Sequence, residues 1–204
     1  TFGHLGGLAH AKSRLVRAVC WPLSRARALS RLNVRAPSGV LLHGPPGCAK
    51  TTLARAAADA ANASFHALSG AQLYSPHVGE AERALREAFA RCRATRPAIL
   101  LLDELDALVG KRGADGGADA VRERVLSTLL NEMDGVEPLE GVLVIGATNR
   151  IDLLDAALTR PGRFDEVIRV GPLQTQDEAH VVLRVHARAL PRCAAVDLGR
   201  TPQG

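Results

Sequence analysis

Residues 38–53 read Ser-Gly-Val-Leu-Leu-His-Gly-Pro-Pro-Gly-Cys-Ala-Lys-Thr-Thr-Leu, and this stretch constrains the chain more than any other. Val40, Leu41 and Leu42 form an apolar run suited to a buried strand, a Gly/Pro-rich turn follows, and Lys50 with two threonines begins an alanine-rich helical segment. A strand, a tight loop and a helix start in that order turn successive backbone N–H groups inward. The unpaired N–H groups and the positive dipole end of the helix face the same concavity. The expected ligand is a polyphosphate cradled by Pro45, Pro46, Gly47, Cys48, Ala49, Lys50, Thr51 and Thr52. Lys50 would reach the terminal phosphates as a point charge, and the Thr51 hydroxyl would ligate Mg2+. The strict pattern Gly-x-x-x-x-Gly-Lys-Ser/Thr is not met, because Ala49 stands at the last glycine. Alanine is expected there only if the backbone avoids positive φ.

The remaining composition is that of an ordinary globular domain: 204 residues, 47% hydrophobic and 23% charged. The apolar runs are strand-sized and none has the length of a membrane span, so no membrane partner is expected. The chain reads as cut from something longer, beginning at Thr1 with no signal-type segment. Cys20, Cys48, Cys92 and Cys193 lack C-x-x-C spacing, which speaks against zinc or a disulfide framework and for a reducing compartment. The net charge of +5 is spread among acidic residues on expected helices, and aromatics are only 3% of the chain. That favours a solvated face, or one meeting an acidic neighbouring subunit, over direct nucleic-acid binding.

Along the chain, Leu8, Leu15, Val16 and Val19 recur at helical spacing, and Trp21-Pro22 is expected to close that helix. A short helical stretch is expected over residues 24–32, a helix over 51–61 and a strand over 64–68. Ala84, Leu85, Ala88, Phe89 and Cys92 mark one face of a helix beginning at Glu80. Strands are expected over 98–102, 142–147 and 166–170, a helix through Val121, Val125, Leu129 and Met133, and a last helix after a Thr175/Glu178 capping box running to Leu190. Nearly all-apolar strands alternating with helices predict an α/β fold with a parallel sheet covered by helices on both faces.

The second chemical element is Ala98-Ile99-Leu100-Leu101-Leu102-Asp103-Glu104, an apolar strand ending in two carboxylates. In open α/β sheets ligands lie outside the carboxyl ends of the strands, which brings this pair to the phosphate loop. Asp103 is expected to hold the metal opposite Thr51, leaving Glu104 to polarise an attacking water. Asp106 is expected to cap or pair locally.

With both elements in place, the chain resembles an AAA ATPase module, a P-loop NTPase with five parallel strands, over residues 2–198. Further stretches carry the likeness. Leu5-Gly6-Gly7-Leu8 resembles the segment that lines the adenine pocket in this family, which implicates Gly6 and Gly7. Gly146-Ala147-Thr148-Asn149-Arg150 resembles the strand end whose asparagine senses the γ-phosphate, which assigns that role to Asn149. Leu158-Thr159-Arg160-Pro161-Gly162-Arg163-Phe164-Asp165 resembles the segment presenting arginine fingers, which points to Arg160 and Arg163. The physical chemistry agrees: Asn149 at a strand end can hydrogen-bond water and phosphate, and two arginines on a surface turn are expected to reach outward. Gly-Pro-Pro-Gly-Cys-Ala-Lys-Thr, Trp21-Pro22-Leu23 and residues 73–80 bring the second ATPase module of the spermatogenesis-associated AAA proteins nearest. Those proteins are relatives of the valosin-containing-protein type of unfoldase.

The resemblance implies ATP and Mg2+, neighbouring AAA subunits in a ring, usually a hexamer, and an active site completed by a neighbour. It also implies ATP-driven remodelling of protein complexes, with maturation of the large ribosomal subunit as the expected process and cytoplasm, with nucleus besides, as the location. It divides the chain into a helical N-terminal segment (residues 1–35), the ATPase core (36–173), and the final core helix with the start of a truncated helical lid (174–204). Lacking that lid, the fragment alone is expected to bind ATP weakly and hydrolyse it poorly. The pore-loop position carries His77-Val78-Gly79 in place of aromatic-apolar-glycine, offering a threaded polypeptide less apolar area. His4 and Ile151 are further departures. Cys48, inside the phosphate loop, is expected to block nucleotide binding when oxidised or alkylated. Two other classes are compatible with parts of the pattern: an assembly module that binds ATP without turnover, and a DNA-directed AAA machine.

Overall fold

The computed structural model of the chain describes residues 2–25, 31–32, 37–70, 79–109, 116–135 and 139–187. Its centre is one sheet of five strands: β1 (Gly39–His43), β2 (Ser64–Ser69), β3 (Ala98–Asp103), β4 (Val142–Thr148) and β5 (Phe164–Arg169). The spatial order is β2-β3-β4-β1-β5, and every pairing is parallel. β1, β3 and β4 are buried along nearly their whole length, as strands flanked by neighbours and roofed on both faces must be.

The period-2 alternation of the strands sorts their side chains into two cores. Val40, Leu42, Ile99, Leu101, Leu143, Ile145 and Ile168 point to one face, which is covered by α1 (Ala9–Leu15), α2 (Trp21–Ser24) and α3 (Lys50–Ala61). Leu41, Leu100, Leu102, Val142 and Val144 point to the other. That face is covered by α4 (Glu80–Ala94), α5 (Leu105–Val109) and α6 (Gly116–Asp134). The apolar stripe read from α4 is the one that packs: Leu85, Ala88, Phe89 and Cys92 are all buried. Burial pushes the Cys92 thiol up to about 11, so it behaves as a small apolar side chain. The last helix, α7 (Gln176–Ala187), starts from the expected cap, with the Glu178 N–H donating to Thr175 Oγ1 at 3.2 Å. The Glu178 carboxylate reaches back to the Gln174 N–H at 2.8 Å, one residue before the partner that a strict capping box uses. The continuation of this helix to Leu190, and most of the helical stretch expected over 24–32, fall outside the described residues.

One expectation is corrected. Trp21-Pro22 does not end the first helix: α1 runs into a π-type turn (Val16–Cys20) and on into α2. The Trp21 N–H bonds the Val16 carbonyl, five residues back. This widened turn takes up the place where the proline ring would otherwise meet the preceding turn's carbonyl, so Pro22 sits as it would near a fresh helix start. The strand expected over 166–170 begins earlier, at Phe164, with a register shift opposite Gly39/Val40. Among the described residues no helix is long and apolar enough to cross a membrane.

Phe89 is fully buried where α4 meets the sheet. Phe89→Ala is expected to cost about 3–5 kcal/mol in denaturant unfolding, whereas Arg83→Ala on the exposed side of the same helix stays within about 0.5 kcal/mol.

Candidate active site

The carboxyl ends of β1, β3 and β4 meet at one edge, and the polar groups of the chain gather there. The loop leaving β1 turns at Gly44, whose N–H donates to the Thr148 carbonyl at 3.3 Å; a Cβ on Gly44 would fall inside the Val170 carbonyl oxygen. Only glycine lets the backbone come that close. Pro45, Pro46 and Gly47 are exposed, Cys48 and Ala49 half-buried, and α3 begins at Lys50, with Thr51 and Thr52 exposed on its first turn. Ala49 is the N-cap, at φ 61° and ψ 30°, and its carbonyl takes the first helical bond from the Leu53 N–H at 2.8 Å. The condition attached to this alanine therefore fails: it adopts the left-handed backbone a glycine would have taken, at a cost of about 1–2 kcal/mol.

Lys50 is buried, and its ammonium is held by three oxygens at 2.8 Å: the carbonyls of Gly44 and Pro45 and Oδ1 of Asn149. Burial lowers its pKa below the ordinary lysine value, with neighbouring Cys48, Asp103 and Asp106 pulling it back up. Burial likewise lowers His43, at the end of β1, helped by the positive charges of Arg169 and Lys50, so the imidazole beside the loop favours its neutral form.

The two carboxylates of β3 diverge as the sequence requires, by a local device. Asp103 Oδ2 accepts from Thr51 Oγ1 at 2.6 Å, and Asp103 Oδ1 accepts from the Glu104 N–H at 3.0 Å. Glu104 then takes a left-handed backbone, φ 53°, which turns its side chain away toward β2, where Ser69 Oγ donates to Glu104 Oε2 at 3.1 Å. One carboxylate faces the helix start and the other stands apart on the solvent side.

Asn149 follows directly on β4, and its amide oxygen faces Lys50. Just before it, Thr148 is buried and spans two partners: its hydroxyl donates to Asp106 Oδ1 at 2.6 Å and accepts from the Arg150 N–H at 3.0 Å. Asp106 thus pairs across to β4 and not locally, because α5 turns its first turn toward the neighbouring strand end.

The two arginines of the Thr-Arg-Pro-Gly-Arg turn part company. Arg160 is exposed and its side chain has no partner among the described residues. Arg163 does not reach outward. Its guanidinium donates to Asp134 Oδ2 from Nε at 3.0 Å and from Nη2 at 2.6 Å, and to the Ala157 carbonyl from Nη1 at 2.5 Å. The side chain is 15% exposed, and the hydrogen bonds to Asp134 raise its pKa further. A bidentate carboxylate at the end of α6 holds this fork better than solvent does. Asp165 braces the same turn, accepting from the Gly162 and Ser38 N–H groups.

Gly6 and Gly7 lie where the N-terminal segment crosses α7: a Cβ on Gly6 would run into the Val182 backbone, and Gly7 has φ 61° beside Leu173 and Glu178. The adjacent turn Phe2–His4 touches both α3 and α7. Of the pore-loop positions, His77 and Val78 fall outside the described residues, and Gly79, φ 90°, is the N-cap of α4. Ser69, Thr148 and Asp134 are the polar residues of this region that pattern reading passed over. Ser69 and Thr148 are the last residues of their strands, the position that had already singled out Asp103, whereas no local signal marks Asp134.

The sequence profile of the ATPase family associated with various cellular activities (AAA) matches residues 40–172. The chain is 48% identical, over 97% of its length, to the cell division control protein 48 homolog B of Arabidopsis thaliana, covering 33% of that protein. It is 44% identical, also over 97%, to the human ATPase family gene 2 protein homolog A, covering 22% of it. It is 40% identical to a Dictyostelium discoideum protein named putative ribosome biogenesis ATPase nvl, covering 23%. The chain therefore spans a third or less of the length of these curated relatives.

Ala49→Gly is expected to stabilise the protein by about 0.5–1 kcal/mol, because relief of the left-handed strain outweighs the entropy a glycine adds to the unfolded chain. A shift of the urea midpoint to lower concentration would refute that reading of the loop.

Proposed function

From the premise that the chain belongs to the AAA family of ATPases, we infer that it hydrolyses ATP at the edge formed by β1, β3 and β4. The observation that carries this reading is the 2.6 Å contact between Thr51 and Asp103, with Lys50 and Asn149 paired on one side of it and Glu104 turned toward Ser69 on the other.

Each side chain has a task suited to its setting. The loop amides and Lys50 bind phosphate oxygens, Lys50 exchanging its present carbonyl partners for them; a charge already taken out of bulk water acts strongly on a phosphate. Thr51 Oγ1 and Asp103 Oδ2 are hard oxygen donors already in contact, the set that Mg2+ prefers, and these two residues would hold it. That ion, when bound, neutralises charge on the terminal phosphates. Glu104 is not spent on Asp103's partner and can take the proton of an attacking water, while Ser69 fixes its direction. Asn149 can orient that water and donate to a phosphate oxygen through its amide nitrogen, its oxygen being engaged by Lys50.

The site is completed in a ring of subunits in this reading, with Arg160 reaching the nucleotide of the neighbour. Arg160 is exposed and needs no bond broken to do so, whereas Arg163 anchors the turn through Asp134. Turnover drives remodelling of protein complexes. The names of the relatives support a place in ribosome biogenesis, as one of them carries that process in its name. The reducing character of the cysteine pattern fits the cytoplasm or nucleus.

In the full-length protein, Glu104→Gln is expected to lower kcat by about 10²–10⁴-fold while ATP still binds. Lys50→Ala is expected to weaken ATP binding about 10–100-fold. Steady-state hydrolysis together with equilibrium nucleotide binding checks both. Undiminished turnover in Glu104→Gln would remove the assignment and leave a module that uses ATP only to assemble.

A further inference from the structure

The Thr148–Asp106 hydrogen bond has no part in the roles given above, yet its setting is unusual for a surface-edge contact. Thr148 is only 1% exposed, and it is the last residue of a strand whose six preceding residues are all buried. Its hydroxyl is used in both directions, giving its proton to Asp106 Oδ1 at 2.6 Å and taking the Arg150 N–H at 3.0 Å. The two bonds bracket Asn149. The Arg150 N–H closes the backbone around Asn149, and Asp106 fixes the hydroxyl that closes it.

Asp106 is tied just as closely to the other half of the site. It lies in the first turn of α5, the helix that begins immediately after Glu104, and the Glu104 carbonyl accepts from the Ala107 N–H at 2.9 Å. The position of Asp106 is thereby fixed relative to Glu104 within a single helical turn. β3 and β4 are hydrogen-bonded neighbours in register Leu102↔Gly146, so Asp103-Glu104 and Thr148-Asn149 leave the sheet side by side. The β3–β4 ladder ends at that pair, before those residues. Beyond it, among the described residues, the hydrogen bond between Thr148 and Asp106 joins the segment bearing Glu104 to the segment bearing Asn149.

The geometry assigns Thr148 and Asp106 as a positioning pair that holds Asn149 and Glu104 in fixed relation, so that the amide and the carboxylate act on one water. This rests on the hydrolytic reading of the site. Neither residue touches the reacting atoms. Their contribution is orientation, and a displacement on the order of 1 Å in a reacting geometry costs about a hundredfold in rate.

Thr148→Val keeps the shape and removes the hydroxyl. In the full-length protein it is expected to lower kcat about tenfold to a hundredfold while KM for ATP stays within about threefold, since the loop and Lys50 that bind the phosphates are untouched. Thr148→Ser, which restores the hydroxyl, should recover most of the rate. Asp106→Ala should reproduce the loss, and the double variant Thr148→Val/Asp106→Ala should be no slower than the worse single one, as for two residues acting as a unit. Three outcomes overturn the pairing: wild-type kcat in Thr148→Val, additive losses in the double variant, or a loss that follows a fall in thermal midpoint and is not rescued by serine. A wild-type protein without ATP turnover would overturn the hydrolytic reading and this inference together; an active wild type with an indifferent Thr148→Val would overturn this inference alone.

Discussion

The site depends on a contact that reaches across a strand. Thr51 stands on the helix that follows β1 and Asp103 at the end of β3, and β4 lies between those strands in the sheet. Their 2.6 Å hydrogen bond is possible only because all three strands run parallel and end at the same edge, with the loop after β1 folding back over the end of β4. The bond from the Gly44 N–H to the Thr148 carbonyl is that fold-back. A parallel sheet supplies this convergence without further cost. Its strands are too thoroughly buried to carry polar side chains anywhere but at their ends, since an unpaired carboxylate within Ile99–Leu102 or Leu143–Ala147 would be expelled from the core. Chemistry collects at the edge because the interior will not have it.

Strain collects there too. Among the described residues four non-glycine positions have positive φ, and two of them, Ala49 and Glu104, flank the Thr51–Asp103 contact. Each is a place where the chain must change direction within one residue: Ala49 to start a helix over the loop, Glu104 to turn from the end of β3 into α5. Backbone held in this region costs free energy, and the packed cores on both faces of the sheet supply the rigidity that keeps it there. The lowered pKa of Lys50 has the same origin, an ammonium held in a partly desolvated cradle by oxygens that the fold fixes in advance.

Much of this was legible in residue order. The strand–loop–helix around Lys50, the apolar strand before Asp103 and the buried face of α4 follow from periodicity and punctuation, and the structure carries each as read. What could not be read are the partners. Asp106 looked like a local cap because nothing nearby in sequence announces Thr148, 42 residues on. Pro22 looked like a helix stop because propensity cannot anticipate a π-type turn that absorbs the proline ring. Ala49 looked like a conditional replacement for glycine, and it takes the glycine-type left-handed backbone all the same. For Asp106 local preference was overridden by a contact made far along the chain.

The turn with Arg160 and Arg163 shows how far the same motif can hold different physics. In sequence the two are equivalent, one on each side of Pro161-Gly162. In the structure Arg163 makes four charge-assisted or carbonyl bonds that tie the turn to α6 and to Ala157, and Asp165 ties the turn's backbone to the start of β1. A guanidinium meant to act on another molecule loses side-chain entropy when it binds, and loses more if it must first leave a bidentate carboxylate. Arg160 bears only the first of these costs. Arg163, by clamping the turn, lowers even that cost, since a rigid base leaves fewer orientations for its neighbour to give up. Asp134, which no motif marks, decides which of the two arginines anchors the turn and which is left exposed.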